Sequence, residues 1–309
     1  MGGSLSSVAQ GLALDPKQFI GIPIALAGAI LLALGTQFQS RGVTKVGTET
    51  GELVAAAGGL GMRHLGMLLK RPTWIAGTAL IGIAIVLQLT SLAFAPLMVV
   101  QPIGAFGLVV TAVLNSWLSQ TKLNTPTITA ICLCVGGVGV FVIIAAFTSR
   151  DVGVTESALV QVLAVLGWVL AACIVGFVLL RKRLRALVYV IGAGVLYGFV
   201  ATLAKVVISR TEQGAFGFLT AICILALLVA VALGAYFVQN AYASGPPDLV
   251  MAGLTVIDPM VAVTIGIVIL NEAAVAQGWT TALFVVTGLV AIVGVLVLAR
   301  YHPQARVEH

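Results

Sequence analysis

Apolar stretches of about 20 residues recur along the chain, separated by short polar, proline- or glycine-bearing punctuation. About 20 apolar residues, wound as a helix, cross the ~30 Å hydrocarbon layer of a membrane. The pattern predicts spans at 19–39, 73–93, 96–118, 125–147, 157–180, 186–208, 215–238, 248–270 and 276–299. The period-of-two alternation that a membrane barrel requires is missing from these stretches. The expected fold class is therefore an all-α polytopic membrane protein with about nine transmembrane helices. Segment 51–71, "GELVAAAGGLGMRHLGMLLKR", is apolar but carries Arg63 and His64 at its centre. It reads as an amphipathic helix in the cytoplasmic interface, with a tenth span as the alternative.

The polar punctuation repeats. Gln88 and Gln239, Pro96 and Pro247, and Gly137 and Gly288 are each 151 positions apart, and spans 73–147 overlie 224–298 without a gap. Spans 19–39 and 186–208 then lead two four-helix units. The domains expected are an N-terminal repeat at 1–147, a linking helix at 157–180, a C-terminal repeat at 186–300 and a cytoplasmic tail at 301–309. One odd helix between the units forces them into opposite orientations. Inverted repeats place a substrate site near the midplane, where the units meet.

Composition agrees with a membrane protein: 60% of residues are hydrophobic and 8% are charged, against about a quarter charged in soluble domains. The net charge of +6 is informative through its distribution. Arg41, Lys45, Arg63, Lys70, Arg71, Lys122, Arg181, Lys182, Arg183, Arg185, Arg300 and Arg306 fall on one side of the membrane. Lys17, Arg150 and Arg210 fall on the other. That bias predicts a multi-pass cell-membrane protein with a cytoplasmic C-terminus, and it needs no nucleic-acid partner. Cys132, Cys134, Cys173 and Cys223 all lie within spans and read as small hydrophobes. No phosphate-binding loop, nucleotide fingerprint, His/Cys cluster or Ser–His arrangement is present, so neither an enzyme nor a cofactor is expected.

Asp258 is the polar residue that most needs explaining. It sits near the middle of its span, where a charged residue costs about 2.5–3.5 kcal/mol to insert, so it should face the bundle interior or a wet cavity. A carboxyl so placed suits proton or cation coupling. Pro259 removes a backbone donor beside it, and Pro102 does the same in the first repeat, so both are expected helix breaks. Lys205 is three residues from the end of its span and reads as a snorkelling lysine, with an ion pair to Asp258 as the alternative that would make it a substrate or coupling residue. Gln88 and Gln239, equivalent under the repeat, are further substrate or coupling candidates, as are Gln101, Tyr197 and Asn240. Gly136, Gly137 and Gly139 read as close helix packing.

The stretch "AFAPLMVVQPIGAFGLVVTAVLNSWLSQTKLN" (93–124) resembles the matching segment of NIPA-type magnesium transporters. The stretch "ASGPPDLVMAGLTVIDPMVAVTIGIVILNE" (243–272) resembles a helix of EamA-type transporters, and each four-helix unit resembles a small multidrug resistance subunit. All belong to the drug/metabolite transporter superfamily. The resemblance implies a secondary transporter working by alternating access, with a small molecule or ion and the membrane lipids as partners. Where the small multidrug resistance family has its coupling glutamate, this chain has Tyr197 and Leu31, so any proton coupling must use another group. The expected cargo is a small metabolite or drug. A divalent cation, Mg²⁺, is the alternative that the NIPA resemblance implies, and a lipid-linked precursor flippase or membrane assembly factor is the other.

Overall fold

The structure, a computed structural model, describes residues 17–50, 70–118, 125–149, 153–180, 186–244, 247–273 and 278–301. The expected interfacial helix near 51–71 and the tail at 301–309 lie almost wholly outside these residues. The described elements are α1 (Gln18–Thr50), α2 (Pro72–Phe94), α3 (Leu97–Ile103), α4 (Phe106–Leu118) and α5 (Thr125–Thr148). They continue as α6 (Glu156–Leu180), α7 (Ala186–Glu212), α8 (Phe218–Ser244), α9 (Pro247–Val268) and α10 (Gly278–Tyr301). No strand occurs among the described residues.

By length and composition, seven of the nine expected spans are long and apolar enough to cross a membrane. The last two fall on α9 and α10, whose apolar stretches Gly253–Val268 and Ala282–Gly294 are shorter. Two boundaries differ from expectation. Helix α1 runs on to Thr50 instead of ending at 39. The span expected at 96–118 is two helices, because Pro102 cannot donate to the preceding turn and the chain turns at Gly104 and Ala105. There the amides of Gly104 and Ala105 bond three residues back, to Gln101 and Pro102.

Helix α1 packs along α2 as α7 packs along α8, and α5 packs along α10. Helix α9 lies against α7, while α6 meets mainly α7 and α8. Lipid gives helices little hydrophobic reason to associate, so close backbone approach at small residues must supply the packing. A Cβ on Gly137 would come 2.6 Å from the Ala291 backbone, and one on Gly35 would come 2.9 Å from the Gly77 carbonyl. Gly136 and Gly139 have open space where a Cβ would sit. Of the three glycines expected at a contact, Gly137 alone makes one, because its neighbours face away from α10.

Candidate functional site

A cavity of about 410 Å³ lies where α1, α2, α3, α7 and α9 converge. Gln88, Gln101, Tyr197, Thr255 and Asp258 supply its polar side chains, and Pro259 forms part of its wall. Most of the remaining lining is apolar, including Leu32, Leu92, Val200 and Leu254. These polar residues, far apart in sequence, meet on one interior space. Facing a shared interior space is the arrangement that spares them from lipid.

Asp258 is half-buried. Its Oδ1 is fully buried and has no hydrogen-bond partner among the described residues. A buried carboxylate oxygen without a donor is unfavourable, and such an exception in a folded protein calls for a reason. Helix α7 closes on α9 at this point: a Cβ on Gly198 would come 3.0 Å from the Asp258 carbonyl, and one on Gly194 would overlap Ile257. Tyr197 stands beside them with its ring over Gly234 of α8, where a Cβ would come within 2.9 Å of the ring.

Helix α9 is continuous through Pro259, so the expected interruption is not there. A trans proline inside a helix withholds one N–H, here the donor for the Thr255 carbonyl one turn earlier, without ending the helix. Pro102 and Pro259 both line a second, apolar cavity of about 100 Å³. Ala105, Thr255 and Pro259 line both cavities.

Lys205 is buried, 2% exposed, and its ammonium lies inside the protein. It donates to the carbonyls of Leu92 at 2.7 Å and Ala95 at 3.2 Å. These carbonyls end α2, where Ala95 and Pro96 are extended before α3 begins. Glu272, also 2% exposed, completes the other half of the junction. Its Oε1 accepts the Leu97 N–H at 2.8 Å and its Oε2 the Met98 N–H at 2.9 Å. A cation thus caps a helix C-terminus and an anion the next N-terminus, the arrangement that end charges favour. Sequence reasoning assigned Glu272 no role. Its signal was Asn271, whose φ of 57° is the left-handed conformation that ends helices. That turn brings Glu272 back over Gly266, whose carbonyl accepts the Glu272 N–H at 3.0 Å.

The other candidates stay apart from the cavity. Gln239 is exposed on α8, and Asn240 donates to the Tyr236 carbonyl on the same helix at 2.7 Å. The expected equivalence of Gln239 with Gln88 does not carry it to the cavity. No cluster of three or more His, Cys, Asp or Glu side chains able to hold a metal occurs among the described residues.

A helical bundle enclosing a mostly apolar cavity, with one carboxyl and a few amides turned into it, has the architecture of a membrane transport protein. The chain belongs to the NIPA magnesium transporter family, whose profile matches residues 16–190. It is similar, at 25% identity over 291 residues, to a Corynebacterium glutamicum protein described as uncharacterized, covering 92% of this chain and 96% of that one. It is 28% identical over 196 residues to mouse magnesium transporter NIPA4, covering 60% of this chain and 46% of the relative. It is 29% identical over 124 residues to Arabidopsis thaliana probable magnesium transporter NIPA1, covering 40% of this chain and 35% of the relative. The chain thus matches less than half the length of these two relatives. No solved structure matches it.

Proposed function

We propose that this membrane transporter is a secondary carrier of Mg²⁺, taking the ion with much of its water shell through the cavity at Asp258. The place of Asp258 on the cavity wall, as the one carboxyl among its lining residues, carries this reading. Mg²⁺ gives up water reluctantly and is usually held through one or two carboxylates. A single carboxyl is too little for a dehydrated ion, but it suits a hydrated one. Waters bound to the ion are strong donors, which Asp258 and the amide oxygens of Gln88 and Gln101 can accept. Six waters at roughly 30 Å³ each need about 180 Å³, and the cavity has about 410 Å³.

This reading includes the wider assignment to the drug/metabolite transporter superfamily and alternating access between two inverted repeats. The mostly apolar lining favours a second reading, a small organic cation held by Asp258 against Leu32, Leu92 and Val200. A ligand that binds the native state raises its stability, so thermal unfolding of the purified protein with each class of ligand separates the two. Stabilisation by Mg²⁺ that is lost in Asp258→Asn supports the first reading. Stabilisation by organic cations alone supports the second.

A further inference from the structure

The junction held by Lys205 and Glu272 does more than end a helix. Helix α3 is a seven-residue segment between two non-helical joints, one at Ala95–Pro96 and one at Gly104–Ala105. Leu97, Met98, Val99 and Val100 are all fully buried, so α3 fills the bundle at this end. Leu92, whose carbonyl Lys205 holds, lines the cavity, as does Ala204 beside Lys205. Farther along, Gln101 of α3 and Gly104 of the joint after it line it as well. The junction thus lies at one end of the cavity.

From this geometry we propose that α3 is a gate, and that Lys205 and Glu272 are positioning residues whose release opens this end of the cavity. The inference rests on the transport reading. Two buried charges carry a large desolvation cost, offset here by the four backbone groups they satisfy at the break. They suit a seam that must part, because entering water can solvate both charges and the amides and carbonyls they leave. Closed and open states then stay close enough in free energy to interconvert.

Other ties at this end are polar too. Gln18 Nε2 donates to the Ser149 carbonyl at 3.3 Å, Val154 N–H to Ser209 Oγ at 3.3 Å, and Arg210 to Glu156 at 3.2 Å. Helix α1 closes the same seam, where a Cβ on Gly21 would come 2.7 Å from Ala95 Cβ. Gly266 leaves room for the carboxylate: a Cβ there would come 2.7 Å from Glu272 Oε2.

Side-specific labelling tests the gate without any cargo. The four native cysteines are replaced by alanine and a reporter is placed in the cavity as Ala201→Cys. A membrane-impermeant maleimide is then applied from the side on which residues 94–97 and 270–273 lie. Labelling should be slow with the junction intact. It should be about tenfold faster or more in Lys205→Met and Glu272→Gln, the effect of losing one charged hydrogen bond. Gly266→Ala, which keeps both charges but crowds Glu272, should give an intermediate rise and serves if the charge variants fail to fold. Unchanged labelling in folded variants would overturn the proposal. So would an equal rise at Ala130→Cys, fully buried on α5 away from the cavity, since that means the whole bundle has loosened. Failure of the transport reading shows separately, as absence of Mg²⁺ flux through the unaltered protein.

Discussion

The Asp258 carbonyl lies 3.0 Å from where a Cβ on Gly198 would sit, so α7 and α9 touch backbone to backbone beside the cavity's carboxyl. Gly198→Ala should force the helices apart and lower stability by about 1–3 kcal/mol, as overpacking does. Gly136→Ala, with open space at its Cβ position, should be neutral or slightly stabilising, because alanine favours the helix by roughly 0.5–1 kcal/mol. Thermal unfolding of the two variants in detergent checks the contrast.

Asp258→Asn should separate stability from function. Removing a buried carboxylate that lacks a donor lifts a desolvation penalty, so the variant should unfold at an equal or higher temperature than the parent. Its Mg²⁺-dependent stabilisation should disappear. A clear fall in intrinsic stability would instead mark Asp258 as a structural residue.

Asn271 sets the direction of Glu272. Asn271→Gly should be tolerated, since glycine adopts positive φ freely. Asn271→Val should cost about 1–3 kcal/mol, the strain of a β-branched residue at that φ. It should also turn Glu272 away from Leu97 and Met98. Amide exchange at these two positions, protected in the parent and faster in the valine variant, reads this out.

Tyr197→Phe keeps the ring over Gly234 and removes the hydroxyl from the cavity wall. The variant should fold with unchanged thermal stability and weaker cargo affinity, seen as a raised KM with kcat largely retained. Gly234→Ala, which presses a Cβ on the ring, should destabilise the protein as well as impair transport.

Asp258 could be picked out from sequence because a carboxyl deep in an apolar span must turn inward, and the structure puts it on one cavity with Gln88, Gln101 and Tyr197. The expectation for Gln239 and Asn240 failed. Gln239 stays exposed on α8, and Asn240 bonds its own helix. Glu272 was missed because its partners, Leu97 and Met98, are backbone amides 175 and 174 residues away. Asn271 announces a helix end, but no local pattern announces what the next carboxylate will reach. Pro102 signalled a break and Pro259 did not produce one. After Pro102 the chain tightens into a turn with bonds three residues back, whereas after Pro259 α9 stays helical and Val261 packs against Gly198 of α7.

The most direct test is Mg²⁺ flux into proteoliposomes containing the purified protein and a trapped fluorescent indicator, compared with Asp258→Asn. The account expects Mg²⁺-dependent entry through the parent and at least a ~10-fold slower rate in the variant, equivalent to about 1.4 kcal/mol of lost stabilisation. Equal flux through both proteins, with the variant shown to be folded, would contradict it.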